Sequence, residues 1–370
     1  MLAPNLVPAM DPNPLPAPYW LFKLLLIVTF FLHVIAMNFM LGGAFVALAA
    51  RVFSKDKRHG SRLFFDVAKK LPSFLAATIT LGIAPLLFVQ VLYGQFFYSS
   101  SIVIAWPWLL VLALIVTAYY GFYFVSFRAG RGGGRPLLVQ SISAALVFLV
   151  GFIYTNNFTL LEHPERWGGK YFATPSGWNL NLTEPTLFPR FLHFFVAALA
   201  LGGLLLVYIA IANWKRDRDY AGKVFFFGGK TFLYATMAQF LVGPIYLMTL
   251  PREARMLFMG DSPLASALLM IGLLGGILAI VLMSGAVRTE NLRIAGVVVP
   301  SITAVVILCM VIMRDLVRDA ALKAWFVPAN FAVKTQWSVL LIFLSLFVAG
   351  VALWLLMLYR FGLFSAKKAE

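Results

Sequence analysis

Charge is what this sequence has least of. Only 12% of its 370 residues are Asp, Glu, Lys or Arg, where soluble domains carry roughly 25%. With 62% hydrophobic residues and a mean hydropathy of +0.89, the chain has too few polar groups to cover a water-facing surface, and its solvent has to be lipid. Cysteine is nearly absent. Cys309 stands alone, which excludes a disulfide framework, a CxxC metal site and a CxxCH haem attachment. Acidic residues number 14 against 30 basic ones, and the long apolar runs hold essentially no carboxylate away from their ends. A proton-driven pump wants several such groups at depth, so that class is disfavoured. The first 19 residues lack a basic start and a small-residue cleavage site but contain Pro4, Pro8, Pro12, Pro14, Pro16 and Pro18. They read as an extended outer leader and not as a signal peptide.

What is present in quantity is continuous apolar sequence. Nine runs, near 20–50, 71–97, 102–127, 137–156, 188–213, 224–250, 263–286, 294–314 and 336–359, are each about the 20 residues a spanning helix requires. They show none of the ten-residue alternation of a membrane barrel, so the expected fold is an all-α bundle of about nine transmembrane helices. The basic residues behind the formal charge of +16 gather in alternate breaks. Arg51, Lys55, Lys57, Arg58, Arg62, Lys69 and Lys70 follow the first run; Arg128, Arg131 and Arg135 follow the third; Lys215, Arg216, Arg218 and Lys223 follow the fifth; Lys367 and Lys368 end the chain. By the positive-inside rule these loops are cytoplasmic, which puts the N-terminus outside and the C-terminus inside. The charge is topological and gives no reason for a nucleic-acid partner. The chain divides into the leader (1–19), one membrane domain (20–360) and a basic cytoplasmic tail (361–370). GRGGGR, from Gly130 to Arg135, lacks the Lys and Ser/Thr of a phosphate-cradling loop and reads as a flexible basic turn. The outer connection 157–187, with Trp167, Gly168, Gly169, Pro175 and Trp178, is long enough to carry structure and a docking role.

Ionisable groups at depth are functional candidates by default, since each costs at least about 2.5 kcal/mol at the bilayer centre. Of four histidines, His59 and His163 fall in loops and read as solvated, while His33 lies within the first run and His193 within the fifth. Neutral imidazole and thioether groups from facing helices are the ligands of a non-covalent b-type haem. His193 lies about 8 to 9 Å below the outer start of its run and Met270 about 10 Å below that of the seventh, at 1.5 Å per residue. The two are therefore level. Arg314 and Arg318 end the eighth run on the outer side, near Arg190, Arg252 and Arg255 at neighbouring ends; guanidinium forks suit haem propionates, as they also suit interfacial anchoring. Trp106, Trp108, Trp167 and Trp325 sit where an aromatic belt would.

In order along the chain these residues resemble the haem-bearing subunit I of cytochrome bd-type quinol oxidases. FFLHVIAMNFMLGGAFVALAAR is similar to that family's first helix, whose histidine binds a high-spin haem, here His33. FVQVLYGQFFY is similar to its Gln-containing second helix and places Gln90 in that role. YTNNFTLLEHPERW and NLTEPTLFPRFLHFF resemble its Asn-rich helix end and fifth-helix histidine, which puts His193 on a low-spin haem b; LASALLMIGLLG aligns Met270 with the completing methionine. Arg314 falls near the arginine of the family's Gly-Arg-Gln-Pro-Trp segment, the rest of which is not kept. Other departures are the short PREARMLFMGDS where the family has its long quinol loop, and the lack of glutamate in the third and eighth runs. Without that glutamate, Met310 or Gln90 is a possible partner for His33. The resemblance thus implies a bacterial inner-membrane electron carrier between quinol and an external cytochrome or partner complex, with a second bd-like membrane subunit, a multihaem cytochrome c, or both as companions. A terminal oxidase with a rebuilt proton path through Tyr98, Thr117, Tyr119 or Tyr120, and a haem-free anchor or transporter subunit, are the alternatives.

Overall fold

The computed structural model describes residues 7–9, 13–54, 56–128, 135–174, 176–326 and 331–361. Pro4, Pro12, Lys55, Arg131, most of GRGGGR, Pro175 and the basic tail after 361 lie outside them. Among the described residues the long elements are all helices: α1 (Tyr19–Phe53), α2 (Lys57–Ala68), α3 (Leu71–Val103), α4 (Ala105–Phe127), α5 (Pro136–Leu161), α6 (Trp167–Ala173), α7 (Leu187–Asn213), α8 (Arg218–Thr249), α9 (Arg252–Met256), α10 (Pro263–Thr289), α11 (Val299–Leu322) and α12 (Trp337–Phe361). Among the described residues nine segments are long and apolar enough to cross a bilayer, and they coincide with the nine runs of the sequence. In lipid every backbone amide must be satisfied within its own segment, which makes continuous apolar runs helical.

Small residues set how closely the central helices approach. A Cβ built at Gly42 on α1 would lie 1.7 Å from the Ala198 carbonyl oxygen of α7, and one at Gly203 on α7 would lie 2.7 Å from the Gly228 carbonyl oxygen of α8. Lipid supplies no hydrophobic drive between helices, so backbone contact of this kind is what packs α1, α7 and α8 together. The outer arcs of the peripheral helices expose large apolar side chains, among them Leu112 on α4, Leu241 on α8 and Leu346 on α12.

Hydrogen bonds assign the loops to two ends. At one end the leader is strapped to the α11–α12 connection, with the Leu15 amide donating to the Ala332 carbonyl at 2.8 Å and the Lys334 amide to the Leu15 carbonyl at 2.9 Å. There too the loop after α6 folds over the start of α4, where the Trp106 amide donates to the Gly177 carbonyl at 3.1 Å. At the opposite end, Arg62 pairs with Asp217, Lys223 with Asp56 at 3.6 Å, Arg218 with Glu290, and the Tyr220 hydroxyl donates to Asp66 at 2.7 Å. His59 belongs to this second set, between Asp56 and Asp219 at the mouth of a cavity of about 250 Å³. It is a paired side chain, where the sequence suggested a solvated one. The basic loops after the first and fifth spans therefore share one end of the bundle.

Candidate haem-binding site

Both intramembrane histidines sit against a glycine of the next helix. A Cβ built at Gly82 on α3 would come within 2.9 Å of His33 Cε1 and Nδ1. His33 Nδ1 lies 3.0 Å from the carbonyl oxygen of Thr78, one turn earlier on α3. That bond fixes the ring and leaves Nε2 for another partner, which is how a metal-binding histidine is oriented. His193 on α7 lies against Gly243 on α8, whose added Cβ would be 3.6 Å from its Cε1. The Tyr246 ring covers it at 6.0 Å. Its Nδ1 is buried with no hydrogen-bond partner.

Nearer the leader end is a cluster of buried charges. One turn before His193, Arg190 donates through Nε to the Tyr246 hydroxyl at 2.9 Å and pairs with Glu162 at the end of α5. Both partners of that pair are nearly sealed, at 3% and 4% exposure. Burial works against the Glu162 charge, but the Arg190 guanidinium beside it holds its carboxyl below the usual carboxylate range. On α11, Arg318 pairs with Asp315 and donates to the Tyr93 hydroxyl at 3.3 Å. Lys23 of α1 joins them, pairing with Asp315 and with Asp319 at 2.7 Å. Tyr93 donates in turn to Asp319 at 2.6 Å. It does so from the one residue of α3 whose backbone leaves the helical region (φ −133°, ψ 30°).

Arg314 is the exception in this cluster. Its guanidinium lies 4.5 Å from the Phe30 ring and 4.7 Å from the Phe158 ring, and among the described residues no carboxylate or carbonyl pairs with it. Phe30 also contacts His33, 6.1 Å ring to ring, so Arg314 and His33 share that ring. Counting the groups named, Lys23, Arg190, Arg314 and Arg318 face Glu162, Asp315 and Asp319, so the cluster carries one cation in surplus. Buried donors also remain unused at Arg190 Nη1 and at Arg318 Nε and Nη1. An uncompensated charge in low dielectric calls for an anion.

Three dissimilar comparisons bear on this geometry. No protein-family model matches the chain, and no curated protein matches it. A solved structure does: "The structure of bd oxidase from Geobacillus thermodenitrificans" superposes with a TM-score of 0.73 over 94% of this chain and 99% of that one, at 15% sequence identity. The fold is that of a bd oxidase. At this identity the bd-oxidase likeness fixes the path of the helices, and what the side chains do has to be argued from the chain itself.

The predicted site residues are only partly gathered. His33, Arg314 and Arg318 line one region with His193 nearby. Gln90 lies two turns beyond Gly82 on α3, about 12 Å further along at 1.5 Å per residue, where its Oε1 accepts from the Tyr98 hydroxyl at 3.0 Å. Met310 turns towards α10, with its Cε 3.9 Å from a Cβ built at Gly272. Met270 stands apart. The arc of α10 that packs on α8 and α11 carries Leu268, Gly272, Gly276 and Ala279, and Met270 is on the other arc with 52% exposure. Nothing in this packing brings it to His193. Lys23, Tyr93, Glu162, Tyr246, Asp315 and Asp319 are partners that the sequence did not single out, whereas Arg190 was named as an outer helix-end arginine; the repeated Arg-Asp pairing of MRDLVRD, i to i+4 on α11, was the signal available. His163 is not a solvated side chain either. It pairs with Glu165 at 2.8 Å and approaches Glu184 at 3.6 Å, with 15% of its side chain exposed.

Proposed function

We propose that this chain is a b-type haem electron-transfer subunit of a bacterial inner membrane, passing electrons between a quinol and a cytochrome or partner complex at the leader end. The observation that carries this reading is Arg314, a guanidinium with no ion-pair partner among the described residues, which shares the Phe30 ring with His33, the imidazole seated in the Gly82 notch. The donor set fits haem: neutral imidazoles held by neighbouring helices at depth, with surplus guanidinium donors on the outer side for two carboxylates. His193 and His33 would be the iron ligands, and Arg314 and Arg318 would hold propionates. Bound haem supplies one-electron redox chemistry at these positions. The chain's own part is to orient the imidazoles, exclude water with Phe30, Phe158 and Tyr246, and neutralise the propionate charge. Electron transfer needs no nucleophile or base from the protein, which suits a bundle whose buried carboxylates Glu162, Glu184 and Asp315 are already in ion pairs. Met270 completes the His193 pair only if α10 turns about its axis on loading. A bd-like membrane subunit and a multihaem cytochrome c are the proposed companions, with the ordered loop around Trp167 as the docking face.

A redox-titrated optical spectrum of the purified protein, with pyridine haemochrome extraction, tests the proposal. At least one haem b per chain is expected, with a low-spin band that disappears in His193→Ala. A colourless preparation would leave a haem-free anchor or transporter and end the electron-carrier reading.

A further inference from the structure

One face of α8 is built around His193. Gln239, Gly243 and Tyr246 recur at i, i+4 and i+7, so they line up along the side of the helix that meets α7. Gly243 lies beside the imidazole and Tyr246 covers it. The Gln239 amide donates through Nε2 to the His193 backbone carbonyl at 2.8 Å. Two atoms at this point are buried without partners: Gln239 Oε1 and His193 Nδ1. One is an obligate acceptor. The other becomes a donor only in the tautomer that carries its proton on Nδ1.

We propose that Gln239 is the positioning residue for His193 as an iron ligand, with its Oε1 accepting the Nδ1 proton that the ring must carry once Nε2 is committed to metal. This rests on the haem reading above. The unpaired atoms make sense in that light: each lacks a partner until ligation selects the tautomer that joins them. His33 has the equivalent bond already, to the Thr78 carbonyl at 3.0 Å. The two imidazoles are therefore held by different acceptors, a backbone carbonyl for one and a side-chain amide for the other. A neutral amide withdraws the proton less than a carboxylate would, which keeps the imidazole a moderate donor and favours the reduced iron.

The test uses the full chain in detergent or nanodiscs and compares Gln239→Leu and Gln239→Glu with the unaltered protein. Leu removes the acceptor, and haem retention at the low-spin site is expected to fall by 10- to 100-fold, the range for lost outer-shell partners. Glu keeps the shape and strengthens the acceptor, so haem stays bound with its midpoint potential shifted negative and its low-spin electron paramagnetic resonance signal displaced. If Leu does not fold, Glu alone decides. Haem bound with unchanged potential and resonance in the variants would overturn the role of Gln239 and leave the haem reading standing. No haem b in the unaltered protein would overturn both.

Discussion

Gly82 and His33 occupy one notch: a Cβ at position 82 would lie 2.9 Å from the imidazole, closer than packed atoms come. Gly82→Ala should therefore push His33 off the Thr78 carbonyl, or α3 away from α1, at about 1–3 kcal/mol of overpacking. Gly243→Ala, where the added carbon meets His193 at an ordinary 3.6 Å, should stay within about 0.5 kcal/mol. Thermal melts of helical circular dichroism on the two variants measure the difference, and equal melts would remove the notch from the account of His33.

The Arg190–Glu162 pair gives a sharper prediction. Both side chains are 4% exposed, and breaking a buried pair by removing one partner costs about 3–5 kcal/mol because the other charge is left stranded. Glu162→Gln should lower the melting temperature strongly. Adding Arg190→Met to Glu162→Gln should recover much of the loss. A double variant no better than the single one would show that the pair's geometry, and not its charge, matters.

Span number, order and approximate ends were legible in the sequence, because hydrocarbon imposes a length and an apolar requirement that composition displays directly. The same holds for the loops that share an end. Side-chain azimuth was not legible. His193 and Met270 agree in depth, but depth fixes only the coordinate along the membrane normal. The rotation of α10 is set by Leu268, Gly272, Gly276 and Ala279 meeting α8 and α11, and that leaves Met270 on the outward arc. The glycine notches were invisible for a related reason: Gly82 and Gly243 acquire meaning only when a ring from another helix is seen to fill the space. Asp315 and Asp319 follow the eighth apolar run, 294–314, whereas α11 continues to Leu322 and carries them into contact with Lys23 and Tyr93.

Arg314 separates two kinds of binding. Arg314→Gln removes the surplus charge but no ion pair, so the fold should hold within about 1 kcal/mol. Haem affinity should fall, by at least about tenfold for a lost charged hydrogen bond of roughly 1.5–3 kcal/mol. Titration of the apoprotein with haemin followed by absorbance reads this out. Unchanged affinity would assign Arg314 to packing between Phe30 and Phe158.

At the leader end, burial opposes the charge of His163, but its bond to Glu165 and the charges of Glu184 and Glu162 prevail and raise its pKa above the usual 6.5. Arg166, paired with Glu184 at 2.8 Å, is the opposing cation nearby. A raised folded value means the stabilisation is complete below about pH 6.5, the unfolded value, and is lost as pH rises through the folded one. Glu184 also accepts from the Thr186 hydroxyl at 3.1 Å at the entry to α7. Hydrogen exchange over residues 176–186 should therefore quicken as pH rises beyond that window, after correction for intrinsic rates, and His163→Gln should flatten the trend.

The clasp between Leu15 and the residues on either side of Val333 bears on the last span. α12 turns most of its surface outward, with Val339, Leu341 and Val348 all more than half exposed, and it meets the bundle where the Phe343 ring approaches Phe88 at 6.1 Å. Its mooring is therefore largely a matter of three main-chain bonds to the opposite terminus, the third from the Gln336 amide to the Pro16 carbonyl at 2.9 Å. The chain is in effect a belt buckled across one end of its own bundle, and the tongue of that buckle is the Leu15–Pro16 stretch ahead of α1.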